Sequence, residues 1–358
     1  MQHIFLESHN IKNQHFGFGQ FNYHLIKGLY NANIEGFKIT LHAKDTHVLK
    51  EEFGTYFNYK KYYSLRRHKA FRIRKKYDLW HCLNQNIKIE PHYDMPYLLT
   101  VHDVNFIDEV SSDLNHERNI KFQNKLNRST AITYISDYAK QSTHQYFRVP
   151  NVPEFVIYNG NPIIDIEIPE NHKPKLTSKK PYLFSIGEFT ERKNFHALVE
   201  MLALLPEYNL ILSGNNNTGY ASGRLQDTIK KLKLESRVII TGKISELDKQ
   251  YYMQNCEGFV FPSLREGFGI PPIEAMRFGK PVFLSNNTSL PEIGGEHAFY
   301  WNHFEPKYMA KVLKDGLNIF NKNKTELSQN YVKHAKSFNW NDAAKQYIEV
   351  YKSILFKK

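Results

Sequence analysis

Short runs of apolar and β-branched residues recur along the chain. After each comes a polar or glycine-bearing loop, and then apolar residues at helical spacing. Residues 3–6 form the first run, and Phe21, Leu25, Ile26 and Leu29 mark the helix behind it. Further runs lie at 78–82, 97–101, 131–135 and 156–158. The pattern restarts at 182–187 and continues through 209–214, 237–240, 258–261 and 281–285, with 289–292 expected to complete a sheet edge. Strands alternating with helices call for parallel pairing and right-handed crossovers, so the chain is expected to be α/β, with two doubly wound parallel-sheet domains. Residues 161–180, rich in proline, lysine and polar side chains, read as a linker between domains at 1–165 and 175–338. Residues 339–358 carry Ala344, Tyr347, Ile348, Tyr351 and Leu355 at helical spacing, which predicts a closing amphipathic helix.

One stretch concentrates candidate chemistry. The run Gly258, Phe259, Val260, Phe261 ends at Pro262, and a helix is expected over 273–278, opening on Pro271 and Pro272 and stopping at Gly279. Between them lie Glu266, Gly267, Phe268, Gly269 and Ile270. A glycine loop feeding a helix N-terminus offers backbone amides and a favourable dipole to an anion. Glu266 in the loop and Glu274, placed near the third helical residue, bracket that anion site. Ionised carboxylates accept hydrogen bonds from sugar hydroxyls. A nucleotide-sugar, with a diphosphate between a ribose and a hexose, has this layout. Taken singly, Glu274 also reads as a helix cap and Glu266 as a solvated loop residue.

Three other places stand at strand-to-helix junctions. Gly17 and Gly19 follow the first strand in outline like a phosphate-binding loop, but Asn22 occupies the place of the third glycine in the dinucleotide fingerprint. A simple turn is the alternative there. His102 and Asp103 come directly after the run at 97–101, at the strand end where open α/β sheets face ligands. Arg192 and Lys193 stand where cations could neutralise a departing diphosphate.

Glu266 and Glu274, set in Glu-Gly-Phe-Gly-Ile-Pro-Pro-Ile-Glu-Ala-Met, resemble the signature of glycosyltransferase family 4, a group of retaining enzymes with the GT-B fold. The likeness covers most of the chain and is strongest from 182 to 291. It implies that Glu266 contacts the donor sugar and that Glu274 holds the ribose. The backbone of Gly267, Phe268, Gly269 and Ile270 would bind sugar hydroxyls and the diphosphate. It further implies that the first domain is the acceptor side, that Gly17 and Gly19 lie against the donor phosphates and the acceptor, and that His102 approaches the donor sugar and phosphate, with Asp103 orienting that histidine or capping the next turn. Arg192 and Lys193 would face the diphosphate, and main chain at Lys243 and Ile244 the base. Asn159-Gly160 would close the first domain, and the last helix would return to it across a two-domain cleft. One departure stands out: many members carry an arginine directly after the glycine that ends the strand at 182–187, where this chain has Glu188. Arg192 is the residue that would supply the missing charge.

The function so implied is transfer of a hexose from a nucleotide-diphosphate sugar to a saccharide or lipid-linked acceptor, in assembly of a bacterial surface polysaccharide. Mannose is suggested by the variant Arg192, Lys193, Asn194. Glu266 would touch the sugar without acting as a covalent nucleophile. No metal and no further cofactor are expected, since no Asp-x-Asp follows a strand and Asp165-Ile166-Glu167 falls in the linker. A GT-B epimerase or hydrolase, which consumes nucleotide-sugar without an acceptor, is the enzymic alternative.

Composition narrows the partners. The 358 residues, 41% hydrophobic and 14% aromatic, suffice for two domains with real cores. No apolar run reaches the ~18 residues of a membrane span, and the N-terminus lacks a charged start and long apolar core, so a cytoplasmic protein is expected. Cys82 and Cys256 stand far apart and suggest neither a disulfide nor a zinc site. A net charge of +12 points to anionic partners. Its densest part is Lys60, Lys61, Arg66, Arg67, Lys69, Arg72, Arg74, Lys75 and Lys76, with Tyr62, Tyr63 and Phe71 among them. That stretch reads as a solvated helix face, or as a peripheral contact with an anionic membrane, where each cation contributes about 1 kcal/mol. A basic nucleic-acid-binding protein is the remaining alternative, but no nucleic-acid motif is recognisable, and the two glutamates would repel a polyanion.

Overall fold

In the computed structural model, which describes residues 1–13, 17–166, 168–216 and 219–356, the chain divides into two units. The first is Met1–Pro162 with Asn339–Lys358, and the second is Ile163–Phe338. The first unit holds β1 (Gln2–Glu7), β2 (Phe37–Ala43), β3 (Asn58–Lys61), β4 (Leu79–Cys82), β5 (Tyr97–Val101), β6 (Ala131–Tyr134) and β7 (Glu154–Val156). All are parallel, in the order β3-β2-β1-β4-β5-β6-β7. Helices α1 (Gly17–Asn31), α2 (Thr46–Phe53), α3 (Phe106–Glu109), α4 (Glu117–Arg128) and α5 (Asp137–Tyr146) connect them. Strands β4, β5 and β6 are buried along their whole length, which is why they read as mostly apolar runs, with His81, Thr100 and Thr133 hydrogen-bonded inside.

The second unit repeats the plan with β8 (Tyr182–Ile186), β9 (Asn209–Ser213), β10 (Val238–Gly242), β11 (Gly258–Phe261), β12 (Val282–Ser285) and β13 (Phe299–Trp301). Their parallel order is β10-β9-β8-β11-β12-β13. Its helices are α6 (Phe195–Leu202), α7 (Arg224–Lys231), α8 (Glu246–Asn255), α9 (Ile270–Met276), α10 (Leu290–Gly294), α11 (Pro306–Lys322) and α12 (Lys324–Ser337). Among the described residues no helix is long and apolar enough to cross a membrane.

Several expectations need correction. Gly17 and Gly19 do not form a loop before a helix; they lie inside the first turn of α1. Residues 289–292 make no sheet edge, because Leu290 starts α10 and the edge is β13. The strand expected at 156–158 is β7, two residues earlier. Strands β2 and β3 escape the apolar-run criterion, since Lys38 and His42 interrupt the former and the latter is a short polar edge. The basic stretch is not a helix face: it continues from β3 into two single 3-10 turns, Ser64–Arg67 and Lys69–Phe71. Within the stretch expected as a linker, Arg277 donates to the Ile163 carbonyl (3.0 Å) and His172 meets Asp248 (2.9 Å).

The terminal helix (Trp340–Leu355) belongs to the first unit. It lies so close to α1 that a Cβ at Gly28 would fall 2.6 Å from the Trp340 carbonyl oxygen. Of the apolar stripe expected there, Ala344, Tyr347, Ile348 and Tyr351 are buried and Leu355 is half-buried, and the two tyrosines satisfy their hydroxyls inside. His81 bridges Tyr351 through Nδ1 (2.9 Å) and Thr100 through Nε2 (2.8 Å), and Thr100 meets Thr133 at 2.7 Å. Burial, with His102 adding to it, pushes the His81 imidazole down to about 3. His102 is likewise lowered by burial, to about 4.

Both rings are therefore favoured neutral in the fold, whereas in an unfolded chain they titrate near ~6.5. The stability each contributes is complete above that value. It is lost as pH falls toward about 4 for His102 and about 3 for His81. The loss runs at about 1.4 kcal/mol per pH unit for each imidazole. Thermal melts are thus expected to fall steeply from about pH 6.5 to 4, and His81→Gln to flatten that slope. A melting temperature unchanged across this window would contradict the assignment.

Candidate donor-binding site

In the second sheet the strand order reverses between β8 and β11. Chain leaving the carboxyl ends of these two neighbours therefore runs side by side, the usual place for a ligand in an open parallel sheet. Gly187 follows β8, and Gly214 follows β9 with φ +147°; a Cβ on Gly214 would fall 1.7 Å from the Gly187 carbonyl oxygen, so that strand end admits only glycine. Beyond Gly187 the chain makes a 3-10 turn, Glu191–Lys193, and Asn194 in a left-handed conformation (φ 56°) launches α6. This turn presents Arg192 and Lys193.

From β11 the chain enters the loop 262–269. Leu264 N–H donates to the Arg192 carbonyl (2.8 Å), which ties the two loops together. Glu266 N–H donates to Thr288 Oγ1 (3.0 Å), while Ser289 Oγ donates to the carbonyls of Glu266 (3.0 Å) and Phe268 (2.7 Å). Gly269 then caps α9 with φ 115°; a Cβ there would meet Leu290 Cδ2 at 2.7 Å. Glycine is thus required by both backbone conformation and space.

The Glu266 carboxylate is where the loops converge. Lys193 Nζ lies 2.5 Å from Oε1, Ser263 Oγ 2.6 Å from the same oxygen, and Arg192 Nη1 3.3 Å from Oε2. Arg192 also donates to the Arg265 carbonyl (2.6 Å). Lys193 is only 8% exposed and stands 4.7 Å over the Phe261 ring. Burial would raise the Glu266 carboxyl, but Lys193 and Arg192 outweigh it and hold it below its ordinary range. Burial lowers the Lys193 ammonium, which Glu266 restores only in part while Arg192 lowers it further. Two cations thus converge on one carboxylate at a sheet's ligand edge.

Glu274 is the fifth residue of α9, not near the third, because the helix starts at Ile270. It is no cap. Only 4% exposed, it pairs with Lys249 of α8 at 2.6 Å, and Lys249 also meets Glu246 at 2.8 Å. Burial raises the Glu274 carboxyl against the pull of Lys249, and the two acids outweigh burial to raise Lys249. The helix start also differs from expectation: Pro271 and Pro272 have no N–H, so amides at this end come from the loop and Ile270. Lys243 is exposed just past β10, and Ile244 packs on the apolar cluster under α8 and β11.

Of the residues singled out from the sequence, Arg192, Lys193 and Glu266 form one cluster, and 267–270 continue from it. Gly17, Gly19 and His102 belong to the first unit. Among the described residues none comes within 4 Å of where a Cβ on Gly17 would stand. His102 Nε2 donates to the Leu83 carbonyl (2.9 Å), and Phe18 and Phe21 pack edge-on against the ring. That tautomer leaves Nδ1 as an acceptor, suited to a hydroxyl and not to a phosphate. Asp103 accepts from Asn105 N–H (3.1 Å) and so caps the next turn. Sequence reasoning missed Ser263, Thr288, Ser289 and Lys249, which hold the loop and the second glutamate. Asp165 and Ile166 lie at the start of the second unit, and Glu167 is outside the described residues.

Solved structures share this architecture over the whole chain. Sucrose-phosphate synthase from Thermosynechococcus elongatus superposes with a TM-score of 0.78 at 19% identity, covering 100% of both chains. Anabaena HepE in complex with UDP-glucose gives 0.70 at 18% identity, covering 99% of this chain and 100% of the other. The fold is GT-B. Residues 167–338, nearly all of the second unit, match the family model of Glycosyl transferases group 1. Over that unit, just under half of the chain, the sequence is similar to the group 1 glycosyltransferases. The serotype-specific mannosyltransferase WbdA of Escherichia coli is 30% identical over 251 residues, which are 65% of this chain and 30% of that relative. The O-antigen chain mannosyltransferase RfbU of Salmonella typhimurium is 26% identical over 244 residues, 65% of each chain. The chain thus spans about 30% of WbdA and about two thirds of RfbU.

Proposed function

We propose that the protein transfers a hexose, in the first place mannose, from a nucleotide-diphosphate sugar to a saccharide hydroxyl, with retention at the anomeric carbon. The observation that carries this is the Lys193–Glu266–Arg192 cluster at the second unit's switch point. Breaking the sugar–phosphate bond places charge on the departing diphosphate, and preorganised cations stabilise charge that develops there. Lys193 and Arg192 supply it, and Glu274 accepts from the ribose hydroxyls. With its oxygens already engaged by two cations and Ser263, Glu266 is better suited to fix the sugar than to attack it.

Mannose is supported by the names of the relatives, O-antigen and serotype-specific mannosyltransferases. The stretch 60–76 is the part of the chain we assign to an anionic membrane surface, a contact that added salt would release. None of its nine cations is ion-paired with an acid among the described residues, and Tyr63, Leu65 and Phe71 are all more than half exposed.

A nucleoside diphosphate is expected to raise the melting temperature saturably. The gain should reach about 2.7 kcal/mol at about one hundred times its dissociation constant. GDP, UDP and their sugars form the panel, and no shift with any of them would remove the donor reading. Consumption of donor with no acceptor present would favour the epimerase or hydrolase instead.

A further inference from the structure

Lys249 is a buried cation where packing alone gives no reason for one. It is the fourth residue of α8, and its backbone N–H donates to the Ser245 carbonyl (3.0 Å). A cation so near a helix N-terminus opposes the peptide dipole. A buried ion pair, moreover, is commonly no more stabilising than apolar side chains of the same volume. Side chains of a helix lean toward its N-terminus, and α8 follows the carboxyl end of β10, so the ammonium points to the ligand edge of the sheet. There it stands with 12% of its side chain exposed, 2.6 Å from Oε1 of Glu274 and 2.8 Å from Oε1 of Glu246.

Among the described residues Lys249 meets these two acids and no other acceptor, so one of its three ammonium N–H groups is unassigned. Glu274 is also only half engaged. Lys249 is its one hydrogen-bond partner among the described residues, and Oε2 is left to accept. A hydroxyl both donates and accepts. One that gives its proton to Glu274 and leaves water behind still needs a donor for its own oxygen. The unassigned N–H of Lys249 lies beside that carboxylate.

We propose that Lys249 and Glu274 hold one ribose hydroxyl between them, Glu274 accepting its proton and Lys249 donating to its oxygen. A site that hydrogen-bonds a hydroxyl from both sides rejects the analogue lacking it, so Lys249 sets a preference for ribonucleotide over deoxyribonucleotide. This rests on the donor reading above, with Glu274 at the ribose.

Binding is measured by calorimetry for whichever of GDP and UDP stabilises the protein more, and for its 2′-deoxy and 3′-deoxy forms. Lys249→Met keeps the unbranched stem and removes the ammonium. Lys249→Gln, whose amide ends one bond short of the ammonium, keeps the test available where Lys249→Met does not fold. The parent is expected to bind the ribonucleotide about tenfold more tightly than one of the deoxy forms. Each variant is expected to lose about tenfold in affinity for the ribonucleotide, and less than about twofold for that deoxy form. Equal weakening toward both ligands gives Lys249 only the task of holding α8 on α9, and overturns the proposal.

The Lys249→Met titrations are repeated at pH 9. Without Lys249, burial and Glu246 both raise the Glu274 carboxyl, and alkaline buffer restores its charge. Ribonucleotide binding is expected to stay about tenfold below the parent there. Recovery to the parental value means that Lys249 acts only by keeping Glu274 ionised, and overturns the direct contact. A parent that binds all three ligands alike overturns the ribose clamp and leaves the diphosphate cluster of Arg192 and Lys193 standing. Absent binding of any of them removes the donor reading and the clamp with it.

Discussion

Lys193→Ala is expected to lower kcat for sugar transfer by about 10²–10³-fold, the usual effect of deleting one preorganised group that faces developing charge. The expectation depends on where Lys193 sits. Its ammonium is nearly out of solvent, 2.5 Å from Glu266 and against the face of Phe261. A cation so placed acts through a low local dielectric and needs no reorganisation when the diphosphate leaves. The substitution also spares the fold, because Glu266 keeps Arg192 and Ser263 after Lys193 is gone. Glu266→Ala is the contrasting case: it takes the nearest carboxylate from the buried Lys193 ammonium, at about 3–5 kcal/mol of stability. Steady-state kinetics read beside melting curves separate the two outcomes. Turnover at the parental level in a folded Lys193→Ala protein would take this residue away from the diphosphate.

Glu274→Ala is expected to weaken nucleotide binding by about 1.5–3 kcal/mol, roughly 10- to 150-fold, with a smaller effect on turnover at saturating donor. A buried carboxylate that accepts from hydroxyls loses charge-assisted hydrogen bonds when truncated. Its neighbour limits collateral damage: Lys249 keeps Glu246 at 2.8 Å, on the more exposed side of α8. Calorimetric titration with the stabilising nucleoside diphosphate measures the change. Binding within about twofold of the parent would mean that Glu274 serves only to pair Lys249.

Much of the local plan was readable from residue order. Tyr97–Val101 is a strand bounded as expected, because a central strand buried on both faces is mostly apolar, and its one polar residue, Thr100, meets His81 and Thr133 inside. Ser136 caps α5 by accepting from Ala139 N–H (3.0 Å), as a serine just before a helix would. The loop with Glu266 was visible through its glycine and proline spacing. Gly17 and Gly19 misled because glycine marks a turn only on average, and here α1 simply starts early. Lys60 to Lys76 misled for another reason: unbroken positive charge has no helical period to confirm or deny, and the chain there settles into short turns beside an edge strand.

From its residues alone the chain had already settled its alternation of strand and helix, the glycine-bearing turn after β11 and the acids on either side of it. These depend on neighbours a few positions away. Which turns would meet was decided only by the order of strands in each sheet, a matter of pairing between distant segments. That order sets Lys193 against Glu266 across 73 residues, and Glu7 against His42 across 35. Buried charges settle their partners only once burial has brought them within a few ångströms, which no local spacing encodes.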